Sequence, residues 1–241
     1  MPLDGTIIFA RYAFMPNRLR YCGGTDNQTL FEYCAANRSD PGLVELLGKF
    51  QAALPYLKLI ARSSGLPDPF DPRVVEAYWL GNELLDKVDL VRFYNSLRER
   101  LSSRVGPRAL QHLLRKPPQG ARPHHSFHVF DVHSRAGALK HSLGTMESCR
   151  IGWGRITEVQ ESRFTVLHRP LVLEGGRLEL GREQPKTVLH RIDGTGFIDH
   201  CEVGDWISFH WDWACDTLTA RQVRNLAACT RHHLHLANQT L

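Results

Sequence analysis

Residues 149–159 read Cys-Arg-Ile-Gly-Trp-Gly-Arg-Ile-Thr-Glu-Val, and residues 203–218 read Val-Gly-Asp-Trp-Ile-Ser-Phe-His-Trp-Asp-Trp-Ala-Cys-Asp-Thr-Leu. Both stretches contain short β-rich runs, and turns such as Asp193-Gly-Thr-Gly separate the other short runs between them. Closely spaced short strands with glycine turns are typical of a small barrel or sandwich. We therefore predict strands in 151–159, 163–173, 177–180, 187–192 and 206–211.

Helices are predicted on both sides of this β-rich region. A helix over 219–236 follows it, with Thr219 as the N-cap. Before it, apolar spacing predicts helices over 43–61 with a kink or break at Pro55, from Asp71-Pro72 onward, and near 90–101 and 108–114. Residues 127–132 alternate like a strand, and 135–145 resemble a connector. The expected class is α+β, with a mainly helical domain over 1–146 and a small β-barrel plus C-terminal helix over 147–241.

Composition indicates a cytoplasmic globular protein. The 241 residues are 42% hydrophobic with a net charge of +5, and the apolar runs are too short for a membrane span. Asp4 and Arg11 make the N-terminus unlike a signal or transit peptide. The six cysteines are scattered without a CxxC pair, as expected for free thiols. Basic residues lie among acids without a nucleic-acid-binding motif, so we expect neither nucleic acid nor membrane as a partner.

Cys149 and His210 are the first candidate site. A thiolate and an imidazole are suitable ligands for a transition metal, and Arg150 and Arg155 are expected to favour the thiolate. The alternative is that Cys149 is a small buried residue and His210 a core histidine bonded to backbone.

Two further sets of residues are secondary candidates. His124, His125, His128 and His133 could ligate a metal, although a strand would place His125 and His133 on one face and the other two opposite. Cys22 precedes two glycines, and nearby arginines could lower its pKa. Structural roles remain open: the histidines could bridge backbone groups, and the Cys22 turn could simply pack.

The C-terminal 90 residues resemble the HypC family of NiFe-hydrogenase maturation chaperones. The matching positions are Cys149, Gly154, Arg155, Ile156, Gly204, Asp205, Trp206, Ile207, Phe209 and His210. The resemblance implies a small OB-like barrel whose cysteine and histidine hold an iron with cyanide and carbon monoxide ligands. It also implies delivery of that iron to the hydrogenase large subunit through a HypD-like partner. In that family the cysteine lies next to the start of the chain, whereas Cys149 is internal.

The whole chain is also similar to an uncharacterised bacterial family often encoded beside NiFe hydrogenases. The strings that carry this similarity begin at Phe9, Tyr21, Val74, Pro123 and Gly204. We therefore expect a non-enzymatic, chaperone-like accessory protein of NiFe-hydrogenase maturation or assembly. The alternatives are a metal- or cysteine-dependent enzyme that uses Cys22 and the His124–His133 cluster between the halves, or a purely structural binding protein.

Overall fold

The computed structural model describes residues 3–136 and 142–240. Residues 5–119, the helical part of the chain, contain seven helices of two to four turns. They also contain two 3₁₀ turns, at Glu83–Lys87 and Pro117–Gln119. The helices are α1 (Gly5–Arg18), α2 (Asn27–Ala36), α3 (Pro41–Gly48), α4 (Leu54–Ser63), α5 (Pro72–Trp79), α6 (Leu90–Leu101) and α7 (Pro107–Leu114). Together with the strands and final helix described below, they confirm the predicted α+β class.

Capping residues determine where several of these helices begin. The Asp40 carboxylate accepts hydrogen bonds from the backbone N–H groups of Gly42 and Leu43, and Asp71 does the same for Arg73. The predicted helix over 43–61 is two helices, because α3 ends at Gly48 and a new one starts at Leu54. Pro55 lies in the first turn of α4, where its missing N–H has no intrahelical role.

The prediction of a strand over 127–132 is wrong. This stretch is helical: α8 (His125–Phe127) leads into a π-helical turn (His128–Val132) and then α9 (His133–Ala136). Almost every residue of the stretch is buried, so its apolar pattern could not distinguish a strand from a buried helix. The predicted connector over 135–145 is also wrong where the chain is described, since α10 spans Leu143–Cys149; residues 137–141 lie outside the described residues.

The β-rich region has nine strands in the described part of the chain. They are β1 (Gly152–Val159), β2 (Arg163–His168), β3 (Leu171–Glu174), β4 (Arg177–Leu180), β5 (Gln184–Leu189), β6 (Arg191–Ile192), β7 (Thr195–Gly196), β8 (Trp206–His210) and β9 (Trp213–Thr217). Five of them pair in the order β1-β2-β5-β9-β8, and β8 pairs with β1. The β5–β9 junction is the parallel pair Leu189 and Trp213, whereas the other four junctions are antiparallel. β3–β4 and β6–β7 form separate two-stranded sheets.

The final helix, α11 (Ala220–Asn238), begins where the sequence predicts. The Thr219 side chain accepts a hydrogen bond from the Gln222 N–H, and the Gln222 side chain accepts one from the Thr219 N–H. This reciprocal capping box satisfies two backbone donors that the first turn leaves without partners. The helix packs against β4, α8 and the π-helical turn, so it contacts both parts of the chain.

Helix α1 lies at the centre of the molecule. Twelve of its residues are buried, from Gly5 to Asn17. It contacts α2, α3 and α5 on the helical side and β8 and β9 on the other. One hydrophobic cluster runs from Ile7 in α1 to Leu236 in α11, so the helices and the strands share a core. Within the described residues, no helix is long and apolar enough to cross a membrane.

Candidate metal centre

Three side chains meet at the junction of the helical and β-rich parts. They are His125 at the start of α8, Cys149 at the end of α10 and His210 at the end of β8. One potential ligand atom from each lies within 4.8 Å of the others. The structure thus brings together both first-choice candidates and one of the secondary histidines.

A proline in α1 orients His210. Pro16 has no N–H, so the carbonyl of Tyr12, four residues earlier, lacks its usual helical partner. The His210 Nδ1–H donates to that carbonyl at 2.7 Å. This bond fixes the tautomer and leaves the lone pair on Nε2, which is buried without a hydrogen-bond partner in the described chain.

The end of α10 orients His125 in the same way. The Cys149 carbonyl lies in the last turn of α10, where no intrahelical donor follows. The His125 Nε2–H donates to it at 2.8 Å, and its Nδ1 accepts a hydrogen bond from the Tyr78 hydroxyl at 3.2 Å. Both imidazoles are therefore held by helix carbonyls that the helices themselves leave free.

Burial keeps the two imidazoles neutral. It lowers the pKa of His210 to about 4 and the pKa of His125 well below its ordinary value, where neighbouring His210 adds to the effect. A neutral imidazole is the form that binds a metal. The ring of Trp79 packs against both, with its centroid 4.6 Å from that of His125 and 5.9 Å from that of His210.

The expectation that arginines activate Cys149 is wrong. Arg150 is buried in an ion pair with Glu147 at 2.7 Å, and Arg155 donates to the Gly204 carbonyl at an exposed position. Burial raises the pKa of Cys149 to about 12, against a smaller opposing effect of Trp211. Without a metal Cys149 is therefore a neutral thiol, and a bound cation would have to displace its proton.

The turn after His210 is strained. Trp211 and Asp212 link β8 to β9 as a two-residue loop, with φ of 52° and 59°. Positive φ at both positions matches a hairpin turn but is costly for tryptophan. The Trp211 N–H donates to the Ser148 carbonyl at 2.9 Å, and the Tyr21 ring stacks on the indole with centroids 4.0 Å apart. Through these contacts Trp211 joins the β8–β9 hairpin to α10 and to the segment after α1.

The three side chains line a cavity of about 370 Å³, and most of the secondary candidates line it as well. Cys22, His128 and His133 contribute to its walls. The predicted split of the histidines between two strand faces is wrong. In the π-helical turn the His133 N–H bonds to the His128 carbonyl five residues earlier, and their rings lie 5.7 Å apart. Members of all three candidate sets of the sequence thus line one cavity.

His124 lies outside this cavity. Its Nδ1 accepts a hydrogen bond from the Ser126 N–H at 3.0 Å as the N-cap of α8, and its ring stacks on His233. The Ser126 hydroxyl bridges the two rings, 2.7 Å from an Nδ1 of each. His124 therefore has the structural role that was left open for this cluster.

Cys22 does not have the activated thiol expected from its nearby arginines. Burial raises its pKa to about 12, and the proximity of Cys149 adds to that shift. The glycine after it has φ of 78°, and its backbone approaches the Phe50 ring closely. Cys22 is thus a protonated thiol facing the same space as the three convergent ligands.

One thiol and two imidazoles that open onto a cavity can hold a transition metal. Zinc in catalytic sites has three protein ligands and an open fourth position, and iron and copper also accept this donor set.

Sequence reasoning missed Tyr12 and Pro16, although a proline four residues after a carbonyl is a readable signal for a free acceptor. It also missed Arg100 on the cavity wall, which nothing distinguishes in sequence from the other arginines of α6.

The chain belongs to the family described as "Family of unknown function (DUF6390)", whose model matches residues 1–241. No curated protein and no solved structure gives a significant match.

Proposed function

We propose that this member of a family of unknown function is a metallocentre-handling accessory protein. His125, Cys149 and His210 would hold one transition-metal ion against the cavity. The observation that carries the proposal is the convergence of their ligand atoms within 4.8 Å, with both histidine tautomers set by carbonyls of α1 and α10. A metal would bind the Nε2 of His210, which has no hydrogen-bond partner among the described residues, and would replace the Tyr78 hydroxyl at the Nδ1 of His125.

The donor set suits iron as well as zinc. A thiolate and two imidazoles are ligands that low-spin iron accepts, so an iron with cyanide and carbon monoxide ligands is the cargo we propose. Cys149 and His210 would be its protein ligands, as the resemblance to HypC implies, and His125 adds a third from the helical part. In HypC the cysteine lies next to the start of the chain, whereas Cys149 is internal. His125 would supply the further ligand that an internal cysteine needs from elsewhere in the chain.

We assign the accessory role to NiFe-hydrogenase maturation. Support comes from the order Cys149, Gly204-Asp205 and His210 followed by a terminal helix, and from five strands whose pairing returns to β1, as in a small HypC-like barrel. The partner would be the hydrogenase large subunit or a HypD-like factor, in the cytoplasm. The helical part would supply the second surface for that partner.

Metal content tests the site directly. Wild-type protein prepared anaerobically is expected to carry up to one iron or zinc per chain, and Cys149→Ser to lose it. Cys201→Ser is the matched control, because Cys201 is a free cysteine outside the cavity. Equal metal content in wild type and Cys149→Ser would contradict the site.

Deletion of the gene tests the role in the cell. Loss of hydrogenase activity together with unprocessed large subunit is the expected phenotype, and the wild-type gene but not Cys149→Ser should restore both. Infrared bands of cyanide and carbon monoxide on the purified protein would identify the cargo. Full activity and normal processing in the deletion strain would refute the hydrogenase role.

A metal-dependent enzyme is the second candidate function. Cys22, His128 and His133 line the cavity beside the three ligands, which places additional nucleophile and base candidates near the metal. The two candidates differ in what happens to the metal. A carrier should release its iron to metal-free large subunit, whereas an enzyme should retain it.

A further inference from the structure

The cavity at the metal centre has an unusual charge composition. Its lining contains three cationic side chains, Lys49, Arg100 and Arg104, and no aspartate or glutamate among the described residues. Lys49 is paired with Asp26 at 2.7 Å, and Arg104 is exposed. Among the described residues no carboxylate forms an ion pair with Arg100, which is the remaining cation of the lining.

Arg100 is held in place but not satisfied. Its guanidinium carbon lies over the Tyr56 ring, 4.0 Å from the ring centre, in a cation–π contact. Its Nε and Nη2 atoms are buried without a hydrogen-bond partner in the described part of the chain. Leaving buried charged donors unpaired costs free energy, so native structures rarely keep them without a function.

The remaining walls are apolar and aromatic. Phe9, Phe50, Trp79, Leu101, Val132 and Trp211 are among the lining residues. The volume of about 370 Å³ lies near the lower end of the range of about 300–1,000 Å³ that is usual for small-molecule sites. Apolar walls with one oriented cation match a ligand that has an apolar body and a single acidic group.

We propose that this cavity binds a small organic carboxylate, with its carboxylate on Arg100 and its apolar body against the aromatic walls. A guanidinium presents a planar fork of donors that a carboxylate matches with two parallel hydrogen bonds. A phosphate dianion would need more charge than one unpaired arginine supplies. The inference rests on the proposed function only in placing this ligand next to the metal; the anion site itself requires Arg100 and the walls.

The test uses three probes of similar shape and different charge on full-length protein freed of metal by a chelator. Benzoate, benzamide and benzylamine are titrated while tryptophan fluorescence is followed, since Trp79 and Trp211 lie in the walls. Benzoate is expected to bind at least tenfold more tightly than benzamide, and benzylamine more weakly than either. Equal affinities, stronger binding of benzylamine or inorganic phosphate, or no binding of benzoate would overturn the proposal.

Substitution of Arg100 locates the anion site. Arg100→Gln should lower benzoate affinity by about 10- to 100-fold, to the level of benzamide, and Arg100→Lys should recover only part of it. Arg98→Gln is the control, because Arg98 is exposed on the same helix and does not line the cavity. An unchanged benzoate preference in Arg100→Gln would refute the assignment. If that variant does not fold, the titrations of wild-type protein with the three probes test the proposal.

Metal content is measured on the same preparations before chelation. Protein that never binds metal yet prefers benzoate through Arg100 would overturn the metal site and leave this inference standing. The opposite outcome, metal bound with no charge preference among the probes, would overturn this inference alone.

Discussion

The orientation of the His210 ring, a candidate metal ligand, depends on a residue far away in the sequence. Its Nδ1–H donates to the Tyr12 carbonyl, which is available because Pro16 offers that carbonyl no helical N–H. The ring therefore keeps Nε2 as its unprotonated nitrogen, which has no hydrogen-bond partner among the described residues. A hydrogen bond on the distal nitrogen also raises the basicity of the ligating one.

Pro16→Ala tests this arrangement. The alanine N–H would compete with His210 for the Tyr12 carbonyl, so we expect zinc affinity to fall about tenfold while the fold persists. Zinc is titrated against a chromophoric chelator. Pro118→Ala, at an exposed proline of the second 3₁₀ turn, is the control and should leave the affinity unchanged. Unaltered affinity in Pro16→Ala would show that the Tyr12 bond does not position the ligand.

Sequence reasoning singled out the three residues of the cluster but not how they are supported. Cys149 and His210 are conspicuous because of their residue types, and His125 lies in a histidine-rich string. Their meeting depends on α10 and the β8–β9 hairpin, which are non-local in sequence. The pKa of Cys149 was mispredicted because a neighbouring position in sequence does not tell where the Arg150 side chain points. In the structure its guanidinium pairs with Glu147.

At the scale of elements, the π-helical turn is the feature that brings part of the histidine cluster to the cavity lined by Cys149 and His210. It brings His128 and His133, five residues apart, to one wall of the cavity. Such turns are rare, cost hydrogen-bond geometry and are frequent at functional sites. An alternating pattern in a segment buried on all sides predicted a strand here, whereas helices with clear caps, such as α6 and α11, were predicted to within a few residues.

A buried lysine anchors this turn. The Lys116 Nζ lies 3.2 Å from an Asp131 carboxylate oxygen and donates to the Leu236 carbonyl at 2.6 Å, which joins the turn to the end of α11. Lysine and aspartate are both nearly inaccessible to solvent. Burial raises the pKa of Asp131, and Lys116 opposes that shift.

Lys116→Met should destabilise the protein by about 3–5 kcal/mol at pH 7, because it removes the ammonium from a buried carboxylate. The penalty should shrink as the pH falls and Asp131 takes up a proton. Urea unfolding followed by circular dichroism measures both. Arg115→Met, at the exposed neighbouring position, should change the unfolding free energy by less than about 0.5 kcal/mol. Equal stabilities of the two variants would be incompatible with a structural ion pair.

At the scale of the whole molecule, helices and strands share one core around α1. That helix was not predicted, because residues on all its faces are buried and it lacks a one-sided apolar stripe. The division into 1–146 and 147–241 falls inside α10, three residues before its end, and remains a prediction about independent folding. The candidate metal centre lies at the junction, since His125 comes from the first segment and Cys149 and His210 from the second.

Buried neutral histidines should make the whole fold acid-sensitive. Burial lowers the pKa values of His124 and His128 to about 3 and that of His210 to about 4, whereas unfolded histidine titrates near 6.5. Below pH 6.5 the unfolded state binds more protons, so each histidine should cost about 1.4 kcal/mol of stability per pH unit until its folded pKa is reached. Asp216, whose pKa burial raises to about 6, acts in the opposite direction.

Urea unfolding of chelator-treated protein at pH 7, 6 and 5 measures this dependence. Stability should be full above pH 6.5 and fall steeply below it. His124→Asn keeps an acceptor for the Ser126 N–H but removes one titrating group. Unfolding of the variant should therefore take up about one proton fewer, and its unfolding free energy should fall less steeply with decreasing pH. A stability that stays constant down to pH 5 would contradict the account of neutral buried imidazoles.

X-ray absorption of the zinc-loaded protein tests the metal centre most directly. The account predicts one sulfur at about 2.3 Å and two imidazole nitrogens at about 2.0–2.1 Å, with any further ligand an oxygen or nitrogen from the cavity side. Cys149→Ser should remove the sulfur shell, and Cys201→Ser should preserve it. A wild-type zinc shell without sulfur, or without imidazole scattering, would contradict a metal centre built from His125, Cys149 and His210.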